Sequence, residues 1–236
     1  MSKLIRLVFL SAVSVACLSA CGGGDGGGST SIVSGDASFP LQSAYKSYVA
    51  SAHAENYNVT GTCSGSATES SSTPSAATFE GAPALAVTIT VTISLTNCTL
   101  ASIASTSIGY YDSNYNPLGY SASGEEYAVF PTTPTPLPTS VKVGDNAIYG
   151  TTTIYTDNTK QTQTGERTLS YVIEADGSSS SSVIANLITK EYNTANQLLY
   201  TEQDRYRLAA NGTVSPVSKD MQYSATSSIH FLLTAK

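Results

Sequence analysis

The clearest pattern in the chain is an alternation of period two. Over residues 87–95, Val87, Ile89, Val91, Ile93 and Leu95 fall on one side of an extended chain, and Thr88, Thr90, Thr92 and Ser94 on the other. Successive side chains of a strand point to opposite faces, so this segment predicts a half-buried β-strand. The alternation returns at Leu169, Tyr171 and Ile173, and over Met221, Tyr223, Ala225, Ile229, Phe231 and Leu233, with Ser or Thr commonly between. Residues 183–192 are less regular. There Val183, Ala185 and Leu187 lie opposite Ile184, Ile188 and Tyr192, the pattern of a strand covered on both faces.

Turn chemistry separates these runs: Asp157-Asn158, Asp176-Gly177 with its serine run, residues 193–196, and Asn211-Gly212. Strands are therefore predicted near 147–156, 166–175, 183–192, 198–208 and 220–234, and short connections make sequential neighbours antiparallel partners. Tyr111-Asp112 leading to Leu118 and Tyr120 echoes Tyr192-Asn193 leading to Leu198 and Tyr200, as two hairpins with similar tips would. One helix is predicted ahead of the sheet, with Pro40 in its first turn and Leu41, Ala44, Tyr45, Tyr48 and Ala52 at helical spacing. The fold class read from these patterns is mainly β. It is an antiparallel meander sheet, either a sandwich or an open curved sheet, with one N-terminal helix over a face or an end.

Four prolines in residues 131–138 make an extended segment that is either a linker between two domains or a rigid crossover within one. Residues 57–130 hold fewer clear strands and would make a thin core alone. A single β-rich domain over 37–236, crossed by residues 131–138, is the favoured division.

The first twenty residues are of another kind. Lys3 and Arg6 precede an uncharged apolar run over residues 7–18, the layout of a secretory signal, and that run falls short of the roughly 20 apolar residues a spanning helix needs. Leu18-Ser19-Ala20-Cys21 resembles the lipobox of bacterial lipoproteins. The resemblance covers the processing segment alone. It implies cleavage before Cys21, a diacylglycerol on the Cys21 thiol and acylation of the freed amine, two or three chains being what stable anchoring takes. Residues 22–28 read GGGDGGG, and this Gly/Ser-rich tether, with the lipidated cysteine, occupies 21–36. About 14 flexible residues span on the order of 20 Å, enough to let a domain reorient above the headgroups. Gly22 rather than Asp follows the cysteine, so the resemblance implies outer-membrane delivery in a host that has one.

Losing residues 1–20 removes two of the eleven basic residues against seventeen acidic ones, leaving a net charge of −8. Nucleic acid is a poor partner for such a chain, because scattered Lys and Arg supply little phosphate neutralisation. Of four cysteines, Cys17 leaves with the signal and Cys21 takes the lipid, so Cys63 and Cys98 are expected to form a disulfide in an oxidising compartment.

Candidate chemistry is sparse. Gly61-Thr62-Cys63-Ser64-Gly65 matches a thiol form of the nucleophile elbow, but no helical period follows it. His53 and His230, the two histidines, have no Ser, Asp or metal-ligand partner at a known spacing. Asp112, Asn114 and Asn116 begin like a calcium loop, yet Pro117 replaces the required glycine and Ser123 the bidentate acid. Glu202, Asp204 and Tyr206 share a strand face opposite Arg205 and Arg207; two such carboxylates ordinarily sit on a solvated face, and glycoside hydrolysis would need them across a cleft. Asn58, Asn97 and Asn211 begin sequons that a bacterial lipobox makes uninformative. No catalytic residue, metal site or cofactor is assigned. The expectation is a lipid-anchored, non-enzymatic envelope module for binding or scaffolding, whose partners are the membrane and a protein or small apolar ligand. Its alternatives are a periplasmic carrier of lipid or another apolar ligand, and a hydrolase with a spatially assembled site.

Overall fold

The computed structural model describes residues 36–98, 102–122, 124–224 and 229–236; the signal segment, Cys21 and the tether up to residue 35 lie outside the described residues. Among the described residues a single helix, α1 (Leu41–Val49), precedes β1 (His53–Gly61), β2 (Ser64–Ser71), β3 (Ser75–Phe79), β4 (Ala82–Thr96), β5 (Ile103–Tyr111), β6 (Pro117–Ala122) and β7 (Glu126–Val129). After the proline-rich run come β8 (Asn146–Tyr155), β9 (Gln163–Ala175), β10 (Ser182–Asn193), β11 (Leu198–Ala209), β12 (Val214–Tyr223) and β13 (His230–Ala235).

Every strand from β3 to β13 pairs antiparallel with its sequence neighbour, as short connections dictate. Two further pairings change the architecture. β13 returns to β1, with Tyr57 opposite Ala235 and Gly61 opposite Phe231, and β1 pairs with β2, which pairs with β4. β2 and β3 lie end to end along the same edge of β4, Ser64 opposite Thr96 and Phe79 opposite Ala82, as two halves of one interrupted strand. The result is a closed antiparallel barrel of twelve strands with one helix, not the open meander or sandwich expected from the sequence. Alternation reports which face of a strand is buried; it carries no information on whether the first strand meets the last. Closure removes the two unpaired edges that an open sheet would leave.

Within the barrel the expected strands recur with one correction. The run 220–234 is two strands, β12 and β13, so His230 opens a strand and does not sit within one. The front region, read as poor in strands, supplies β1 to β7. Its Ser, Thr and Ala content weakens the apolar signal, but Tyr57, Val59, Ala67, Val87 and Ile93 all turn inward and are buried.

The outward positions carry many polar side chains, alongside apolar ones such as Ile148, Val172 and Ile188. On β4 they are Thr88, Thr90, Thr92 and Ser94, and on β9 to β11 they include Glu166, Glu174, Lys190 and Arg205. Arg or Lys at such positions would cost about 2–4 kcal/mol each at the midplane of a bilayer, and Asp or Glu less. The two large buried apolar clusters lie on the inner faces.

One end of the barrel is plugged. Leu41 and Ala44 of α1, with Phe39 before it, pack on Tyr171, Ile173, Val183, Ala185 and Leu208 from the inner faces of β9 to β11. The helix stops at Val49, short of Ala52. Residues 131–138 cross this end between β7 and β8 and hold the plug: Gln42 N–H donates to the Pro138 carbonyl (3.1 Å), and Phe39 and Val141 exchange backbone hydrogen bonds of 2.8 and 2.9 Å. Outside the ring, the β3–β4 hairpin turns through Glu80 and Gly81, both at positive φ as a two-residue hairpin turn requires. Its Phe79 ring stacks on Tyr110 at 4.4 Å and lies 5.5 Å from Tyr127. Gly119 makes room for it, since a Cβ there would stand 2.6 Å from Phe79 Cζ.

Candidate functional site

The inner faces enclose a cavity of about 510 Å³, within the roughly 300–1,000 Å³ typical of small-molecule sites. Val87, Ile89, Val91 and Ile93 of β4 form one aliphatic wall, and Leu169 of β9 and Leu187 of β10 stand elsewhere around the lining. The alternation that makes β4 a strand thus also makes this wall. Tyr45, Tyr48 and Val49 bring α1 into the lining at the plugged end.

Charged side chains enter the same interior in two groups. In the first, Lys219 of β12 donates to Asp204 Oδ2 of β11 at 3.1 Å and pairs with Glu69 Oε2 of β2 at 3.0 Å. Burial opposes the lysine's charge, but Asp204 and Glu69 outweigh it and hold its pKa well above the ordinary value. Burial pushes the Asp204 carboxyl up, Lys219 pulls it back, and Glu202 and Glu69 push it further up. In the second group Arg167 of β9 donates from Nη2 to Glu191 (2.5 Å) and Glu126 (3.3 Å), and from Nε to Glu191 (3.2 Å). Its guanidinium lies 4.7 Å from the centre of the Tyr120 ring. Glu191 is raised by burial against the lowering effect of Arg167.

Eight tyrosines line the cavity. Tyr48 and Tyr206 meet edge to face at 5.2 Å between centroids, and Tyr200 Oη donates to Glu202. Tyr57, 1% exposed, and Asp204 both belong to the lining, and the Tyr57 hydroxyl and Asp204 Oδ1 are buried with no hydrogen-bond partner among the described residues.

The residues singled out from sequence fall as follows. Glu202, Asp204 and Tyr206 do share a face, but that face lines the cavity and is not the solvated one expected. A strand of a closed barrel has a polar inner face wherever inner charges are paired, and here Lys219 pairs with Asp204. Cys63 and Cys98 are joined by a disulfide, Cα atoms 5.4 Å apart, and the segment after Cys63 is strand β2, which excludes the strand-to-helix elbow. Asp112 is used in its own hairpin, where Oδ1 accepts from the backbone N–H groups of Asn114 (2.7 Å) and Asn116 (2.9 Å). His230 Nε2 lies 3.0 Å from Asp220 on the outer face, with its side chain 47% exposed. Sequence reasoning missed Lys219, Arg167, Glu69, Glu126 and Glu191. A signal was there, since Arg167 is in phase with Leu169, Tyr171 and Ile173, and Lys219 with Met221 and Tyr223.

His53 has a serine beside it. Ser71 Oγ lies 2.8 Å from Nδ1 and 3.1 Å from Nε2, and Nδ1 is also 3.0 Å from the Ser51 carbonyl. A hydroxyl almost equidistant from both ring nitrogens sits over the ring edge between them. General-base activation needs it in line with one nitrogen while a carboxylate orients the other. Ser71 is therefore expected to stay unlabelled when the full chain is treated with a fluorophosphonate probe and mapped by peptide mass spectrometry. A Ser71 adduct lost in His53→Ala would instead establish a nucleophile.

No protein-family model matches the chain, and no match is found among curated proteins or solved structures. The fold and cavity define its class as a closed antiparallel β-barrel with a lined interior and a helical plug.

Proposed function

We propose that this chain is a non-enzymatic ligand-binding barrel of the bacterial cell envelope, tethered to the outer membrane through acylated Cys21, which holds an apolar small molecule. The observation that carries the reading is the aliphatic-walled cavity of about 510 Å³ inside the barrel. An aliphatic-walled space left unfilled inside a folded barrel is what a carrier needs. A scaffold would need only the outer wall. The anchor rests on the lipobox resemblance, and the tether would let the barrel turn toward a donor or acceptor membrane.

Two measurements test this. Titration of the full chain with the neutral dye N-phenyl-1-naphthylamine should show saturable fluorescence at about one dye per barrel, and Val91→Trp, which fills the cavity, should weaken binding at least tenfold. No saturable binding, or binding indifferent to Val91→Trp, would end the carrier reading. Intact-mass analysis of protein from a producing bacterium should find a chain beginning at acylated Cys21. Retention of residues 1–20 would remove the anchor.

A further inference from the structure

The charges of the cavity bear on what the ligand carries at its polar end. Five carboxylates line it, those of Glu69, Glu125, Glu126, Glu202 and Asp204, against two permanent cations, Arg167 and Lys219. Both cations are already engaged, Arg167 by Glu191 and Glu126, and Lys219 by Asp204 and Glu69. An anionic headgroup entering this space would find no uncommitted positive partner and several negative ones.

The β11 side of the cavity is the reverse. Glu202 accepts from Tyr200 Oη and makes no ion pair among the described residues. Two positions along the same strand face, Asp204 keeps Oδ1 without a donor, and the Tyr57 hydroxyl, buried in the same neighbourhood with Lys219, Glu69 and Asp204 as its charged neighbours, is likewise unpartnered. Buried oxygens of this kind are costly to leave unpaired. An ammonium group carries three N–H donors and a positive charge, which suits two carboxylates and a hydroxyl oxygen together. The rings of Tyr48 and Tyr206 add faces that favour a cation further.

We infer that the cavity selects a cationic amphiphile, an apolar amine in its protonated form, with the ammonium between Glu202, Asp204 and Tyr57 and the tail along Val87, Ile89, Val91 and Ile93. This rests on the ligand-binding reading above and narrows it to one ligand chemistry. A neutral amphiphile gains only the hydrogen bonds, and a fatty acid meets repulsion.

The test is calorimetric titration of the full chain at pH 7 with three probes of one tail length: decylamine, decanol and decanoate. Decylamine should bind at least tenfold tighter than decanol, with decanoate weakest. Glu202→Gln, which keeps the side-chain shape, should lower the decylamine-to-decanol affinity ratio at least fivefold, and Asp204→Asn should do so independently. Decanoate binding as tightly as decylamine, or a ratio that Glu202→Gln leaves unchanged, overturns the inference while the carrier reading stands. If none of the three binds, the inference is likewise overturned, and the dye titration decides the carrier reading separately.

Discussion

Arg167→Met should destabilise the protein by about 3–5 kcal/mol, read as a lowered midpoint in urea with an unchanged slope. Among the described residues the guanidinium is the only cation paired with Glu191, whose side chain is 6% exposed, and it also neutralises Glu126. Removing it leaves two carboxylates facing each other inside a low-dielectric wall. The pair itself need not be a large net gain, since desolvating three charged groups offsets much of their attraction. The double variant Arg167→Met/Glu191→Leu should accordingly recover most of the loss. Recovery would separate the cost of an orphaned charge from the loss of packing around residue 167.

The pH dependence of the single variant follows from the direction of the Glu191 shift. Its carboxyl is raised in the folded protein by burial, Arg167 acting to lower it. A carboxyl with a higher pKa folded than unfolded binds more protons in the folded state, so its contribution to stability is favourable below the unfolded value and falls as pH rises toward the folded one. Without Arg167 the shift grows. The deficit of Arg167→Met should therefore be largest near neutrality and shrink as pH drops toward the ordinary carboxylate range. A deficit independent of pH would mean that Glu191 is not the group left exposed to the loss.

What could be read in the sequence, and what could not, divides along a physical line. The faces of β4, β9 and β12 were legible, because a barrel wall dry on one side and wet on the other imposes alternation on each strand separately. Closure was not legible. It depends on β13 finding β1 across more than 170 residues, and pairing between distant strands leaves no local mark. The cavity was hidden for a related reason: whether Val91 and Leu187 fill a core or line a space depends on ring size, which no single strand encodes. The two charge groups lay between these extremes. A charge in phase with an apolar face, as Arg167 is with Leu169 and Tyr171, must be inside and must therefore be paired. Naming its partner required the neighbouring strands, since Glu191 is opposite Arg167 only through the β9–β10 register.

That register also links stability to the site. Glu191 and Arg167 are directly opposed on β10 and β9, as Lys219 and Asp204 are on β12 and β11. Each pair fixes a cross-strand register on the inner face, and a slip by one residue would turn both charges outward and the outer polar groups inward. The cations that hold these registers are the same ones withheld from a ligand. On the proposed reading, the interior uses its positive charge for structure and leaves negative charge for a ligand.

Removing the disulfide should have the other large effect. Cys63 lies in the β1–β2 turn and Cys98 follows β4 directly, so the bridge ties the open end of the long hairpin made by β2, β3 and β4. The two residues are 35 apart in sequence, and the chain-entropy account gives about 3–4 kcal/mol for a loop of that length. For a domain of this size each kcal/mol moves Tm by roughly 2–4 °C, so Cys63→Ala/Cys98→Ala should melt about 6–16 °C lower than the parent. Either single alanine variant should lose as much as the double one, because the bridge needs both sulfurs. The loss should also be local in hydrogen exchange. β1 must pair with both β2 and β13 for the barrel to close, so fraying at Cys63 should speed exchange in β1, β2 and β13 before β9 to β11, which the plug and the Arg167–Glu191 pair hold together. Uniformly faster exchange would show instead that the bridge acts on the unfolded chain alone, without securing the seam where the ring closes.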